Sequence, residues 1–299
     1  MCRDFGTDGT AVSSDPMYGT LYIVATPIGN LDDITLRAID TLRKVSTVAA
    51  EDTRRTRTLL SHLDIKTKII SYHQHNEARR APSLIADIKD GQDIALVTDA
   101  GTPGISDPGR VIINMAFEQG VDVVPIPGAS AVTATLSVCP FLYDRYLFYG
   151  FLPAKRTVRK KSLDKLRGYD MPVVFFISPH KLSETIEDIY EIFGNRRVFL
   201  AKEITKIYES FQLDTLANIL SAIRENRTNI RGEFTLVLEG DARTDNTKTD
   251  TISNPDLDMH TLTKKLQSKG LSKKDTVDVL STIFKLSKKE LYKSLIDNQ

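Results

Sequence analysis

Five short β-branched runs alternate with stretches of helical length through the first half of the chain, and this alternation restricts the fold more than any other feature. The runs are LYIVAT (21–26), STVAA (46–50), TKIIS (67–71), DIALVT (93–98) and VDVVPI (121–126). Amphipathic segments follow them at 34–42, 53–63, 77–90, 108–119 and 129–138. Period-two and β-branched runs read as strands, and apolar spacing of three to four reads as helix. Strands joined by helices make a largely parallel sheet with helices on both faces. In such sheets ligands bind beyond the carboxyl ends of the strands.

The loops at those ends are therefore the places to look for chemistry. They read TPIGNLDD (26–33), EDTRRT (51–56), YHQHNE (72–77), DAGTPGISDPG (99–109) and PGAS (127–130). Glycine lets a backbone approach a ligand closely, and proline stiffens a loop in advance. Neither G-x-G-x-x-G after the first strand nor G-x-x-x-x-G-K-[ST] anywhere is present, which speaks against a dinucleotide or a nucleoside triphosphate. The expected ligand is adenosine-like with little phosphate, gripped by backbone atoms and a few carboxylates.

The second half repeats the alternation with an offset. Runs at 147–152, 172–178, 197–204, 208–213 and 234–240 read as strands, and 182–193 and 215–226 as helices. Two adjacent strand runs without a helix between them, at 197–213, point to a mixed sheet. The expected division is a disordered extension at 1–18, α/β domains at 19–142 and 143–240, a polar linker at 241–255 and a small helical appendage at 256–299. The alternative reading of the first residues is an over-extended start with Met17 as the natural initiator. The appendage carries amphipathic segments at 257–266, 273–284 and 287–296, with nine lysines against six acids. Ser272 and Ser287 stand where N-caps belong. Its helix-turn-helix-like pattern suits nucleic acid, docking or dimerisation equally.

Composition narrows the partners. The 299 residues carry 40 basic and 39 acidic side chains, so any basic patch must be local. The densest lies at 155–167, KRTVRKKSLDKLR, with seven basic side chains and one acid. Lys155, Arg156, Arg159, Lys160 and Lys161, with Arg54, Arg55 and Arg57 of the second loop, are candidates for RNA phosphates. The three arginines could instead pair with Glu51 and Asp52. No apolar run reaches the roughly 18 residues a membrane span needs, and no signal pattern opens the chain. Two cysteines, Cys2 and Cys139, support no disulfide framework. Cytoplasm is expected, and no membrane partner. His73, His75 and Glu77 could in principle share a metal, but no metal is expected.

The blocks TPIGNLDDITLRA (26–38), AAEDTRRTRTLL (49–60), HQHNE (73–77), DAGTPGISDPG (99–109), PIPGASA (125–131), YGFLP (149–153), SPHK (178–181), KEITK (202–206) and GEFTLVLEG (232–240) together resemble the tetrapyrrole-methylase superfamily, in order from about Gly19 to Gly240. Within it they are similar to the branch that methylates small-subunit ribosomal RNA. The resemblance implies two α/β domains of the tetrapyrrole-methylase type with S-adenosylmethionine in the interdomain cleft. It implies a homodimer that 2′-O-methylates a decoding-region cytidine of 16S rRNA, within the 30S subunit. It also implies cofactor contacts from Pro27, Gly29, Asp99, Ala100, Gly101, Thr102, Ser106, Pro127, Gly128, Ser130 and Ala131. Ser178, Thr205, Gly232 and Glu233 follow from the second domain.

A base would assist attack by the ribose hydroxyl. Glu51, Asp52, Lys202, Glu203 and Lys206 are the ionisable candidates by motif, with solvent as a further proton acceptor. The alternatives are methylation of a tetrapyrrole or other small molecule, and a non-catalytic ribosome-associated RNA-binding protein. Lys181 and Lys202 stand where arginine is usual in the superfamily, LSVCP (136–140) replaces a serine-glycine segment, and FQLD (211–214) lacks a glycine. A lysine keeps the charge but loses the bidentate fork.

Overall fold

The computed structural model describes residues 18–225, 231–241, 263, 266 and 268–284. The chain divides into two compact units, Met1–Gly240 and Asp241–Gln299. In the first unit, β1 (Thr20–Val24), β2 (Thr47–Ala50), β3 (Lys68–Ser71), β4 (Ile94–Val97) and β5 (Asp122–Ile126) pair in parallel in the order β3-β2-β4-β1-β5. The helices α1 (Leu36–Lys44) and α2 (Thr53–His62) bury Ala38, Leu42 and Leu60 on one face, against Val24, Val48 and Val97. On the other face α3 (Glu77–Lys89) and α4 (Arg110–Glu118) bury Leu84, Ile85, Ile88 and Ile112 against Leu21, Ile94 and Leu96. Burial on both faces is why these strands read as continuous apolar runs.

Several ends move by one or two residues for visible reasons. Thr35 caps α1 by accepting from the Ala38 N–H at 3.1 Å, so this helix starts later than 34. Asp52 caps α2 through the Arg54 N–H at 2.8 Å. Gly109, at φ +140°, stands before α4 and delays it past Pro108.

The second sheet is mixed, as its sequence suggests. β6 (Leu147–Phe151) and β7 (Val173–Ile177) are parallel, whereas β8 (Arg197–Lys202), β9 (Ser210–Thr215) and β10 (Phe234–Leu238) complete the order β6-β7-β10-β8-β9 through antiparallel pairs. β8 stops at Lys202, where Glu203 and Thr205 adopt positive φ in the turn that follows. The helices α6 (Arg156–Asp164), α7 (Leu182–Phe193) and α8 (Leu216–Arg224) close one face over Phe175, Leu200 and Leu236. The opposite face is covered by α5 (Ala131–Val138), whose Val132 and Leu136 pack with Val174, Phe199 and Val237. A boundary at 142/143 would assign α5 to the first sheet. Its apolar face instead belongs to the second, so the chain crosses between sheets directly after β5.

In the second unit, α9 (Lys273–Phe284) follows the expected middle segment, with Ser272 accepting from the Asp275 N–H at 3.2 Å as its cap. Of the expected extension at 1–18 only Tyr18 is described; the linker after Asp241 and the last segment at 287–296 lie outside the described residues, as do all of 256–266 except Thr263 and Leu266. Among the described residues no helix is long and apolar enough to cross a membrane.

Candidate active site

In the first sheet, the loop leaving β1 heads for one face and the loop leaving β4 for the other, which opens a crevice between adjacent strand ends. The two loops are pinned together there. The Thr26 N–H donates to the Gly101 carbonyl at 2.9 Å, and the Gly101 N–H to the Thr26 carbonyl at 3.0 Å. The Thr26 hydroxyl donates to the Thr98 carbonyl at 3.1 Å. Gly101 stands at φ +78° and Gly104 at +81°, conformations that favour glycine. Ser106 adopts φ +65° without being glycine, a strained position of the kind found where a loop is held for a ligand.

A cavity of about 460 Å³ opens against this loop and reaches the second sheet. A smaller one of about 280 Å³ adjoins it through Ile28, Arg55, Asp99, Ala100 and Glu233. Of the expected cofactor residues, Asp99, Ala100, Gly101, Thr102, Ser106, Ser130, Ala131, Ser178 and Glu233 line the larger cavity; Pro27 and Gly29 line the smaller. Pro127, Gly128, Thr205 and Gly232 line neither. Gly128 packs where a Cβ would come within 3.0 Å of the Ala25 side chain, so it serves loop packing.

The cavity floor is anionic. The Asp52 N–H donates to Asp99 Oδ1 at 3.0 Å, and Arg55 lies 3.5 Å from Asp99 Oδ2. Burial raises the Glu51 carboxyl above its ordinary range, and the Asp99 carboxylate adds to this while the Asp99 N–H opposes it. Burial, with Glu51 and Asp99 nearby, pushes Asp107 up to about 7. Asp107 is a cavity residue that sequence reasoning missed, although it lies inside the loop singled out. Glu51, Asp99 and Asp107 thus form a group of carboxyls on the cavity wall, with Arg55 against Asp99.

The other catalytic candidates have structural partners. Asp52 caps α2, and the Arg54 guanidinium holds its carboxyl well below the usual range. Lys206 bridges Glu203 and Glu233 at 3.0 Å each. The Glu233 N–H donates to Glu203 at 2.8 Å. Burial alone would raise Glu203, but the Glu233 N–H and the Lys206 ammonium outweigh it and leave it lowered. This turn latches onto the first loop. The Asn30 N–H donates to Thr205 Oγ1 at 3.0 Å, and a Cβ at Gly29 would come within 2.5 Å of the Lys206 side chain. Lys202 sits 6.0 Å from the Phe234 ring. Lys206 lines the smaller cavity, whereas Asp52, Lys202 and Glu203 line neither.

The basic run corrects an expectation. Residues 156–164 form α6, and its cations face the acids of α7. Arg159, 1% exposed, donates to the fully buried Asp188 at 2.7 Å and to the Ala154 carbonyl at 3.0 Å, so it cannot meet RNA. Arg156 pairs with Asp188 and Glu191 at 2.8 and 2.9 Å, and Lys160 pairs with Glu191. Lys155 and Lys161 remain exposed. The signal was available in the sequence: Glu184, Asp188 and Glu191 recur on one side of α7, opposite a helix whose cations recur at the same spacing. On the first sheet, Arg54, Arg55 and Arg57 are exposed, and Arg55 stands on the rim of both cavities. His75 donates its N–H to His73 Nδ1 at 3.2 Å. Among the described residues no three His, Cys, Asp or Glu side chains converge as a metal site.

A doubly wound parallel sheet and a mixed sheet meeting at a glycine-lined, acid-floored cavity define the class: the chain belongs to the tetrapyrrole (corrin/porphyrin) methylases, whose family model matches residues 20–220. More particularly, it is 46% identical over 222 residues to the ribosomal RNA small subunit methyltransferase I of Halalkalibacterium halodurans, covering 74% of this chain and 76% of that one. It is 40% identical over 275 residues to the protein of that name from Synechocystis (92% and 96% covered) and 38% identical over 279 residues to that of Bacillus subtilis (92% and 93%). Among solved structures, diphthine synthase (TM-score 0.57, 15% identity, 74% of this chain and 90% of that one) and a cobalamin-biosynthetic cobalt precorrin-4 methyltransferase (0.55, 18%, 74% and 94%) share the fold.

Proposed function

We propose that this protein transfers the methyl group of S-adenosylmethionine to the 2′-oxygen of a cytidine in the decoding region of 16S rRNA, acting in the cytoplasm as a homodimer on the 30S subunit. The observation that carries the reading is the 38–46% identity, over 74–92% of the chain, to proteins named ribosomal RNA small subunit methyltransferase I. The cavity fits the cofactor on chemical grounds. Glu51, Asp99, Asp107 and Glu233 line the larger cavity against a single arginine, Arg55, a lining that suits the sulfonium cation. The open backbone of Asp99–Thr102 offers close approach to a phosphate-free adenosine ligand.

When bound, S-adenosylmethionine supplies an electrophilic methyl group. The chain's part is to position the acceptor oxygen and receive its proton, and positioning alone is worth several kcal/mol. Glu51 is the sequence candidate that the larger cavity holds, and burial makes it a better base than an exposed glutamate. RNA phosphates, repelled by the acidic floor, stay at the rim, where Arg55 stands with Arg54 and Arg57 nearby. Leu142, Ile207 and Tyr208 are exposed apolar side chains of the kind a second copy covers.

A pH dependence follows. A cation beside Asp107 favours its ionised form, so binding expels the proton that the free protein holds below about pH 7. Affinity for S-adenosylmethionine therefore rises by about tenfold between pH 6 and pH 8 and then levels off. Calorimetry across that range should show a much flatter profile for S-adenosylhomocysteine, which lacks the sulfonium, and for Asp107→Asn. Equal slopes for all three would remove Asp107 from the cofactor's surroundings.

The reading as a whole is tested by offering labelled S-adenosylmethionine with 30S subunits from a strain lacking the protein, with deproteinised 16S rRNA and with a tetrapyrrole. Label in the 30S subunits supports it. Label in the tetrapyrrole alone would replace it with small-molecule methylation.

A further inference from the structure

Strict alternation along β6 would put Leu147, Tyr149 and Phe151 on one face of the sheet and Phe148 on the other. Leu147 and Tyr149 do pack into the core under α6, α7 and α8, with the Tyr149 ring 5.7 Å from Phe175. Phe151 does not follow them. The β6–β7 register shifts between Phe148 and Gly150: Phe148 pairs with Val174, but Gly150 pairs with Phe175 and Phe151 with Phe176. This bulge turns Phe151 onto the face of Phe148 and Phe176, where its ring centroid lies 5.4 Å from that of Phe176. Both rings line the larger cavity.

Gly150 makes the turn possible. It stands at φ +79°, and a Cβ there would lie 2.8 Å from Ser106 Oγ, so the bulge is pressed against the cofactor-side loop of the first sheet. The result is costly by ordinary rules. Phe151 is 57% exposed at the end of its strand, whereas unshifted alternation would direct it to the face of a buried core.

We propose that Phe151 is a stacking platform for an unpaired nucleobase of the RNA substrate, the base next to the ribose held at the cavity. Single-stranded RNA is recognised by splaying bases onto aromatic faces, and such a face is useful only if it is partly bare and held rigid from behind. Phe176 provides that backing. The inference rests on the ribosomal RNA reading above, and it specifies an acceptor nucleotide presented out of its stack rather than within a helix.

The test uses the full-length protein and 30S subunits from a strain lacking it. Initial rates of methyl transfer are measured against subunit concentration for wild type, Phe151→Leu and Phe151→Tyr, with S-adenosylmethionine affinity measured in parallel. Leucine keeps the apolar bulk and removes the ring; tyrosine keeps the ring. The expected result is a KM for 30S raised roughly tenfold or more in Phe151→Leu, restoration by Phe151→Tyr and unchanged cofactor affinity in both. An unchanged KM in Phe151→Leu, failure of tyrosine to restore it, or weakened cofactor binding would overturn the assignment while leaving the RNA reading intact. Absence of transfer by the wild type would overturn both.

Discussion

Gly101→Val is expected to lower S-adenosylmethionine affinity by roughly a hundredfold while the protein stays folded, with Gly101→Ala as its graded control. Gly101 pins the crevice loops through both of its backbone bonds to Thr26, and it stands at φ +78° on the cavity wall. A Cβ there meets Ile28 Cγ2 at 3.7 Å and the Ala129 carbonyl at 3.9 Å, which are ordinary contacts. Alanine therefore suffers only from the left-handed backbone, about 1–2 kcal/mol of stability. Valine adds two methyl groups at a residue that lines the cavity. Calorimetry and thermal melts of the two variants separate strain from occlusion. A valine variant that melts like the alanine variant and binds like wild type would place the cofactor elsewhere.

The second large effect is expected at Glu51. Replacing it by glutamine removes a proton acceptor while keeping size and hydrogen bonding, and kcat for methyl transfer should fall by roughly 10²–10⁴-fold. Cofactor affinity should change far less, because Asp99 and Asp107 keep the floor acidic. Single-turnover rates with 30S subunits distinguish the chemical step from product release. A rate within a few-fold of wild type would mean that the proton leaves to solvent and that positioning carries the reaction. The same substitution should flatten the rise of rate with pH on its acid side, since the ionised carboxyl is the active form and burial has raised its range.

Much of this architecture is readable from residue patterns, and what is not readable has specific causes. The first sheet is legible because its central strands β2 and β4 are buried on both faces and each helix has its own apolar stripe. The partner of α5 is not, since the stripe of Val132 and Leu136 fits either sheet and only the tertiary fold selects the second. Cations at 155–167 resemble a solvated surface until α7 is placed beside them, and then the buried Arg159–Asp188 pair becomes visible as structure. Within the site, the backbone loops announce themselves through glycine and proline. The latch of Asn30 to Thr205 spans 175 positions and leaves no local trace. Phe151 was hidden for a different reason: the YGF sequence alternates normally, and the shift at Gly150 that re-aims the ring exists only in the pairing with β7.

The division of charge ties fold to function. Acids lie under the cavity, exposed arginines stand at the carboxyl edge of the first sheet, and an aromatic pair projects from the second. The proposed function and the Phe151 proposal together put a cation within this site and a polyanion at its mouth, with an unstacked base between them.

The most direct test of the central claim is the chemical position of the transferred label. After reaction of the protein with labelled S-adenosylmethionine and 30S subunits lacking the modification, the RNA is digested to nucleosides and short fragments and analysed by mass. The account predicts label in a single fragment, carried on the ribose of one 2′-O-methylcytidine. Label on a base, or spread over many fragments, would contradict it.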